Sequence, residues 1–107
     1  MTIADWCQTI HELAHRQGFY VGKCSEEVAC KHRSGGRPGA LMLIVTELAE
    51  ALEADRKGDD HNFYEEIADA VIRLFDLAAA EGILLEHEIA LKMEQNRQRC
   101  RRHGKKY

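Results

Sequence analysis

Apolar positions recur along this chain at helical rather than alternating spacing. Ile3, Trp6, Ile10, Leu13 and Ala14 fall on one stripe, so the spacing predicts a helix over Ile3–Gln17 that Gly18 ends. Between Val21 and Arg37 the periodicity lapses into a polar stretch containing SGGRPG. This reads as the longest loop, with room for a short helical turn at SEEVACKH. Pro38 opens a second helix that runs to Lys57 and stops at Gly58. Asn62, with Glu65 three residues on, forms a capping pair for a third helix, which continues to Ala80 and is terminated by Gly82. A fourth helix occupies Leu85–Arg99. There is one proline and no alternating β-branched run. The expectation is an all-α fold, a four-helix antiparallel bundle formed by residues 1–107 as a single domain.

The helical faces carry the next inference. On the second helix Leu41, Ile44, Val45, Leu48 and Leu52 form the expected core face, and Glu47 and Glu50 share another arc with Leu43 and Ala54. Glu53 reads as an ordinary surface acid. On the third helix the expected core face is Phe63, Ile67, Ala70, Val71, Leu74 and Ala78, with Glu66, Asp69 and Asp76 in a stripe roughly opposite. Ile72 and Phe75 lie outside that core arc, which points to a second packing surface and hence to a homodimer or a dimer of dimers. If the second and third helices pack antiparallel, Glu47, Glu50, Glu66 and Asp69 converge. Four carboxylates in low dielectric repel one another unless a cation joins them, and oxygen-only ligands suit Mg²⁺, or Mn²⁺, better than zinc. The plainer alternative is that acids at helical spacing merely decorate a solvated surface.

Charge changes the picture at the C-terminus. The net charge is −3, yet Lys92–Tyr107 holds seven Lys/Arg against one Glu, leaving that segment at +6 and the rest at −9. Lys92, Asn96 and Arg99 fall at i, i+4 and i+7, on one face of the fourth helix, and a basic tail continues over about 97–107. Such asymmetry suggests a tail that binds an anionic partner, folds back on the acidic body, or simply stays solvated. The absence of aromatic residues in the tail before Tyr107 disfavours a nucleic-acid patch. No apolar run is long enough to span a membrane, the N-terminus has no signal-peptide pattern, and four scattered cysteines read as reduced thiols, so the expectation is a cytoplasmic protein.

Two motifs invite other readings. His11-Glu12-Leu13-Ala14-His15 matches H-E-x-x-H, in which paired histidines hold zinc and the glutamate activates water. A zinc peptidase also needs a third ligand and usually a strand edge for its substrate, and no strand is expected here. Cys24, Cys30 and His32 lack the C-x-x-C pairing of a structural zinc site. SGGRPG lacks the G-K-[ST] ending of a P-loop, and the core helices carry no Glu-x-x-His of a di-iron bundle.

Taken together, Glu47-x-x-Glu50, fifteen residues, then Glu66-x-x-Asp69 resembles the metal motif of the MazG-like all-α nucleoside triphosphate pyrophosphohydrolases. LIVTELAEALEADRKGD followed by NFYEEIADAVIRLFDLA is similar to the two core helices of small bacterial and phage members, and KMEQNRQRCRRHGKKY to their closing segment. The likeness covers most of the chain outside Val21–Arg37. It implies Mg²⁺-dependent hydrolysis of a nucleoside triphosphate between the α- and β-phosphates. Carried over by position, it makes Glu47, Glu50, Glu66 and Asp69 the metal ligands, with Glu47 or Glu50 also orienting the attacking water. It makes Lys92, Asn96 and Arg99 phosphate contacts, with Arg97 and Lys105 as weaker ones. His11, Trp6 and Phe19 become contacts to the base, and His15 a surface residue. Cys100 departs from the family, whose close members often carry proline there. The rival readings are a phosphoribosyl-ATP pyrophosphohydrolase and a non-catalytic helical partner protein that keeps the fold.

Overall fold

The computed structural model describes residues 1–19 and 35–99, and all regular structure within them is helical. Four helices follow in order: α1 (Ile3–Arg16), α2 (Gly36–Lys57), α3 (Asp60–Glu81) and α4 (Leu85–Gln98). The SEEVACKH turn, Cys24, Cys30, His32, Cys100, Lys105 and nearly all of the basic tail lie outside the described residues.

Each helix boundary has a local cause. At the start of α1, Thr2 and Asp5 cap each other: the Thr2 hydroxyl accepts from the Asp5 N–H, and the Asp5 carboxylate accepts from the Thr2 N–H. The hydrogen bond from the Thr2 backbone, then that from its hydroxyl, holds the Asp5 carboxyl below its usual value. Helix α2 begins two residues before Pro38. Proline is tolerated there because the first turn of a helix has no partner for the N–H it lacks. Gly58 at φ 72° closes α2, its N–H reaching the Ala54 and Asp55 carbonyls. Asp59, not Asn62, then caps α3 by accepting the Asn62 N–H at 3.1 Å. Gly58 has already reversed the chain, so the residue directly after it is the first acceptor available. Only Gly58 and Asp59 separate the two helices, which must therefore run antiparallel. Arg37 near the start of α2 meets Glu81 at the end of α3, 2.6 Å away, as that direction requires.

Helix α3 is central, packed along α2 on one side and against α1 on the other. Helix α4 touches α1 through a small contact and buries none of its residues. The α2 face turned inward is Ala40, Ile44, Glu47, Ala51 and Ala54, and on α3 it is Ala70, Asp76, Ala78 and Ala80. This corrects the expected core. Ile44, Ala70 and Ala78 are buried as expected, but Leu41, Val45, Leu48 and Leu52 are about half exposed, as are Ile67, Val71 and Leu74. Alanines allow two helix backbones joined by a short turn to approach closely, and a leucine seam would hold them apart. Asp76, expected on an outer stripe, is instead 4% exposed. Phe75 is half-buried and faces a cavity shared with α1, whereas Ile72 remains 46% exposed. No described helix is long and apolar enough to cross a membrane.

The alanine seam is testable. Ala54 is 1% exposed, so Ala54→Leu should lower the unfolding free energy by about 1–3 kcal/mol through overpacking. Urea denaturation followed by helical circular dichroism measures this, and a neutral effect would mean that α2 and α3 are not closely apposed.

Candidate metal centre

The two-residue turn sets which positions of α2 and α3 face each other. Counting outward from it, residue 50 stands level with residue 67, and residue 47 with residue 70. Glu50 and Glu66 are thus brought to one height, and Glu47 comes level with Asp69 and the turn beyond it. The carboxylates of Glu47, Glu66 and Asp69 each offer an oxygen within 4.8 Å of the others. Glu50, exposed beside them, contributes to the pKa shifts of Glu47 and Glu66.

Such a group cannot carry its full charge without compensation. Arg73 provides part of it, its Nε donating to Glu47 Oε1 at 2.9 Å. Burial pushes the Glu47 carboxyl up. The hydrogen bond from Arg73, those shared with Glu66 and Glu50, and the Arg73 charge outweigh burial and leave Glu47 below its ordinary value. Glu66 moves the other way, to about 7, through its hydrogen bond to Glu47, its burial, its hydrogen bond to Glu50 and the charges of both neighbours. Its Oε2 is buried and receives no hydrogen bond. A buried carboxylate oxygen without a donor calls for a proton or a cation. All the donor atoms are carboxylate oxygens, which fits a hard divalent ion.

Beside the acids lies a cavity of about 730 Å³. Trp6, Ile10 and Leu13 of α1, with Phe19 just beyond, form one part of its lining, and Ile72 and Phe75 of α3 form another. Glu47, Asp69, Arg73 and Asp76 give it a polar side. Trp6 and Phe19 are about half exposed and so available to a ligand entering it. His11 is not in the lining. It is 9% exposed, and its Nδ1 and Asp76 Oδ1 are hydrogen bonded at 2.9 Å. His15, expected at the surface, is half-buried, with its ring edge-on to that of His11 at 4.8 Å. Glu12 accepts from Gln8 on the exposed side of α1. Among the described residues the group with metal-ligand spacing is Glu47, Glu66 and Asp69, and it does not include His11 or His15.

Lys92 and Asn96 are exposed on α4 and Arg99 is exposed in extended backbone just past its end, one residue short of the expected helix, with no hydrogen bond or ion pair to the acids, and Arg97 pairs with Glu94 at 3.0 Å. The cation that one chain brings to the cluster is Arg73, which the sequence reading passed over. Its signal was present: it follows Asp69 by four and Glu66 by seven, and so continues their stripe. No family model matches this chain, and neither a curated protein nor a solved structure matches it.

The Glu66 proton gives a pH signature. The folded protein holds it more tightly than the unfolded chain, whose glutamates titrate near 4.5. That contribution to stability is complete below the unfolded value and is lost as the pH rises through about 7. Glu47, shifted down, acts only in the more acidic range. In the presence of a chelator, melting temperature should therefore fall between about pH 5 and 8. Millimolar Mg²⁺ or Mn²⁺ should restore it at the upper end, and Glu66→Gln should flatten the profile. A wild-type profile that is flat across this window would contradict the shared proton.

Proposed function

We propose that this chain is a MazG-like nucleoside triphosphate pyrophosphohydrolase, cleaving (d)NTPs between the α- and β-phosphates to monophosphate and pyrophosphate. The observation that carries this reading is the buried, donor-less Glu66 Oε2 within a cluster of carboxylates, beside a cavity walled by aromatic residues. Acids that need a cation, next to space for a planar ring, suit a metal-bound nucleotide. Glu47, Glu66 and Asp69, with Glu50 beside them, would hold Mg²⁺, with Mn²⁺ as substitute. When bound, the ion offsets the charge of the triphosphate. Glu47 is engaged by Arg73, whereas Glu50 stands exposed and makes no ion pair among the described residues. Glu50 is accordingly the better placed of the two to orient the attacking water and accept its proton. Trp6 and Phe19 stack the base, and His11, through Asp76, fixes α1 behind them.

The same reading includes a second copy of the chain, in a cytoplasmic homodimer or dimer of dimers. Leu41, Val45, Leu48 and Leu52 form an unbroken half-exposed face on α2, each forgoing about 1 kcal/mol of burial in a lone chain. Helix α4 has no buried residue of its own. Covering the leucine face with a partner lets α4 of one chain bring Lys92, Asn96 and Arg99 toward the acids of another.

A panel of NTPs and dNTPs with Mg²⁺, scored for pyrophosphate release, tests the activity. Glu50→Gln and Asp69→Asn should each lower turnover by at least about a hundredfold with helical content unchanged. A near-normal rate in either variant at saturating Mg²⁺ would refute the assignment. Sedimentation tests the assembly: Leu48→Glu should yield monomers with reduced activity. An active wild-type monomer at micromolar concentration would rule out the shared site.

A further inference from the structure

Arg73 is the cation that the fold itself brings to the carboxylates. It lies one turn beyond Asp69 on α3 and is bonded to Glu47 through Nε alone, at 2.9 Å. That bond uses one of the five N–H groups of the guanidinium. The two terminal NH₂ groups make no hydrogen bond to any described residue, and the side chain is 30% exposed in the wall of the cavity. An arginine that only neutralised Glu47 would gain most from two parallel N–H···O bonds to it. Here the carboxylate takes Nε and leaves four donors for something else.

The surroundings specify what that is. Glu47, Asp69 and Arg73 line the cavity, while Glu50 and Glu66 stand outside its lining. Arg73 therefore lies at the boundary between the aromatic wall, with Trp6 and Phe75, and the full set of acids. A ligand with its ring in the cavity and its phosphates at the acids must pass Arg73 with the group that joins the two. The acids repel a bare phosphate, and a guanidinium edge matches two phosphate oxygens. We propose, building on the pyrophosphohydrolase reading, that Arg73 binds the phosphate that stays on the nucleoside, and that the departing pyrophosphate does not depend on it.

Calorimetry in Mg²⁺ with the four deoxynucleoside 5′-monophosphates, and separately with inorganic pyrophosphate, tests this on wild type and Arg73→Lys. Lysine keeps the charge beside Glu47 and removes the planar fork. Arg73→Lys should weaken monophosphate binding at least about tenfold while pyrophosphate and Mn²⁺ affinities stay within about twofold. Unchanged monophosphate affinity, or a parallel loss for monophosphate and pyrophosphate, overturns the assignment and leaves the pyrophosphohydrolase reading standing. A wild-type protein that binds Mn²⁺ but neither product overturns both. A second measurement needs no variant: monophosphate should protect Arg73 of the wild type from phenylglyoxal, and pyrophosphate should not. Equal protection by the two would also overturn the proposal.

Discussion

Glu47, Glu66 and Asp69 present oxygens within 4.8 Å of one another, a spacing at which bare carboxylates repel strongly in a partly dry setting. Much of the molecule is arranged around that repulsion. Arg73 offsets one charge at Glu47, and a proton held by Glu66 up to about pH 7 removes another. Arg73 does not reach the buried Glu66 Oε2, which has no hydrogen-bond partner. A divalent ion would replace the proton and satisfy that oxygen together with its neighbours. Metal binding at this cluster would for that reason release the proton.

The repulsion persists only because the backbone denies the acids room to part. Gly58 and Asp59 join α2 to α3 with no slack, and the buried alanines, Ala51 and Ala54 on one helix and Ala70 and Ala78 on the other, permit close packing. Small side chains on the inner face have a counterpart outside. The large apolar residues that would ordinarily fill a core, Leu41, Leu48 and Leu52 among them, are displaced to the outer face of α2. One choice of residues produces both the tight acidic seam and the uncovered leucine face.

Much of this was legible in the sequence. Gly58 and Gly82 marked the ends of α2 and α3, and the shortness of the turn between the two helices was enough to foresee that Glu47, Glu66 and Asp69 would meet. The choice of inner face was not legible. Leucine outranks alanine in any hydrophobic pattern, so the pattern identified Leu41–Leu52 as core. It carries no information on which of two apolar faces packs within the chain. Asp76 read as surface because its partner, His11, is 65 residues away, and a burial that depends on a distant histidine leaves no local trace. Arg73 went unread for a related reason: inside an acidic stripe it looks like a solvated i,i+4 partner, and only the antiparallel α2 gives it Glu47.

The H-E-x-x-H at 11–15 takes its meaning from the same stripe. Glu66, Asp69, Arg73 and Asp76 stand at i, i+3, i+7 and i+10 of α3, a single polar line running up one side of the helix. The line meets α2 through Glu47 and Arg73, and it meets α1 through the buried Asp76–His11 hydrogen bond. Turning α3 about its axis to separate Glu66 from Glu47 would carry Asp76 away from His11 and break that buried hydrogen bond, which is costly in so dry a place. Helix α3 is therefore held in rotation from both sides, with His11 acting as an anchor rather than as a metal ligand. With neither translation nor rotation available, the charge that Arg73 does not offset at Glu47, Glu66 and Asp69 is left to a proton or a cation.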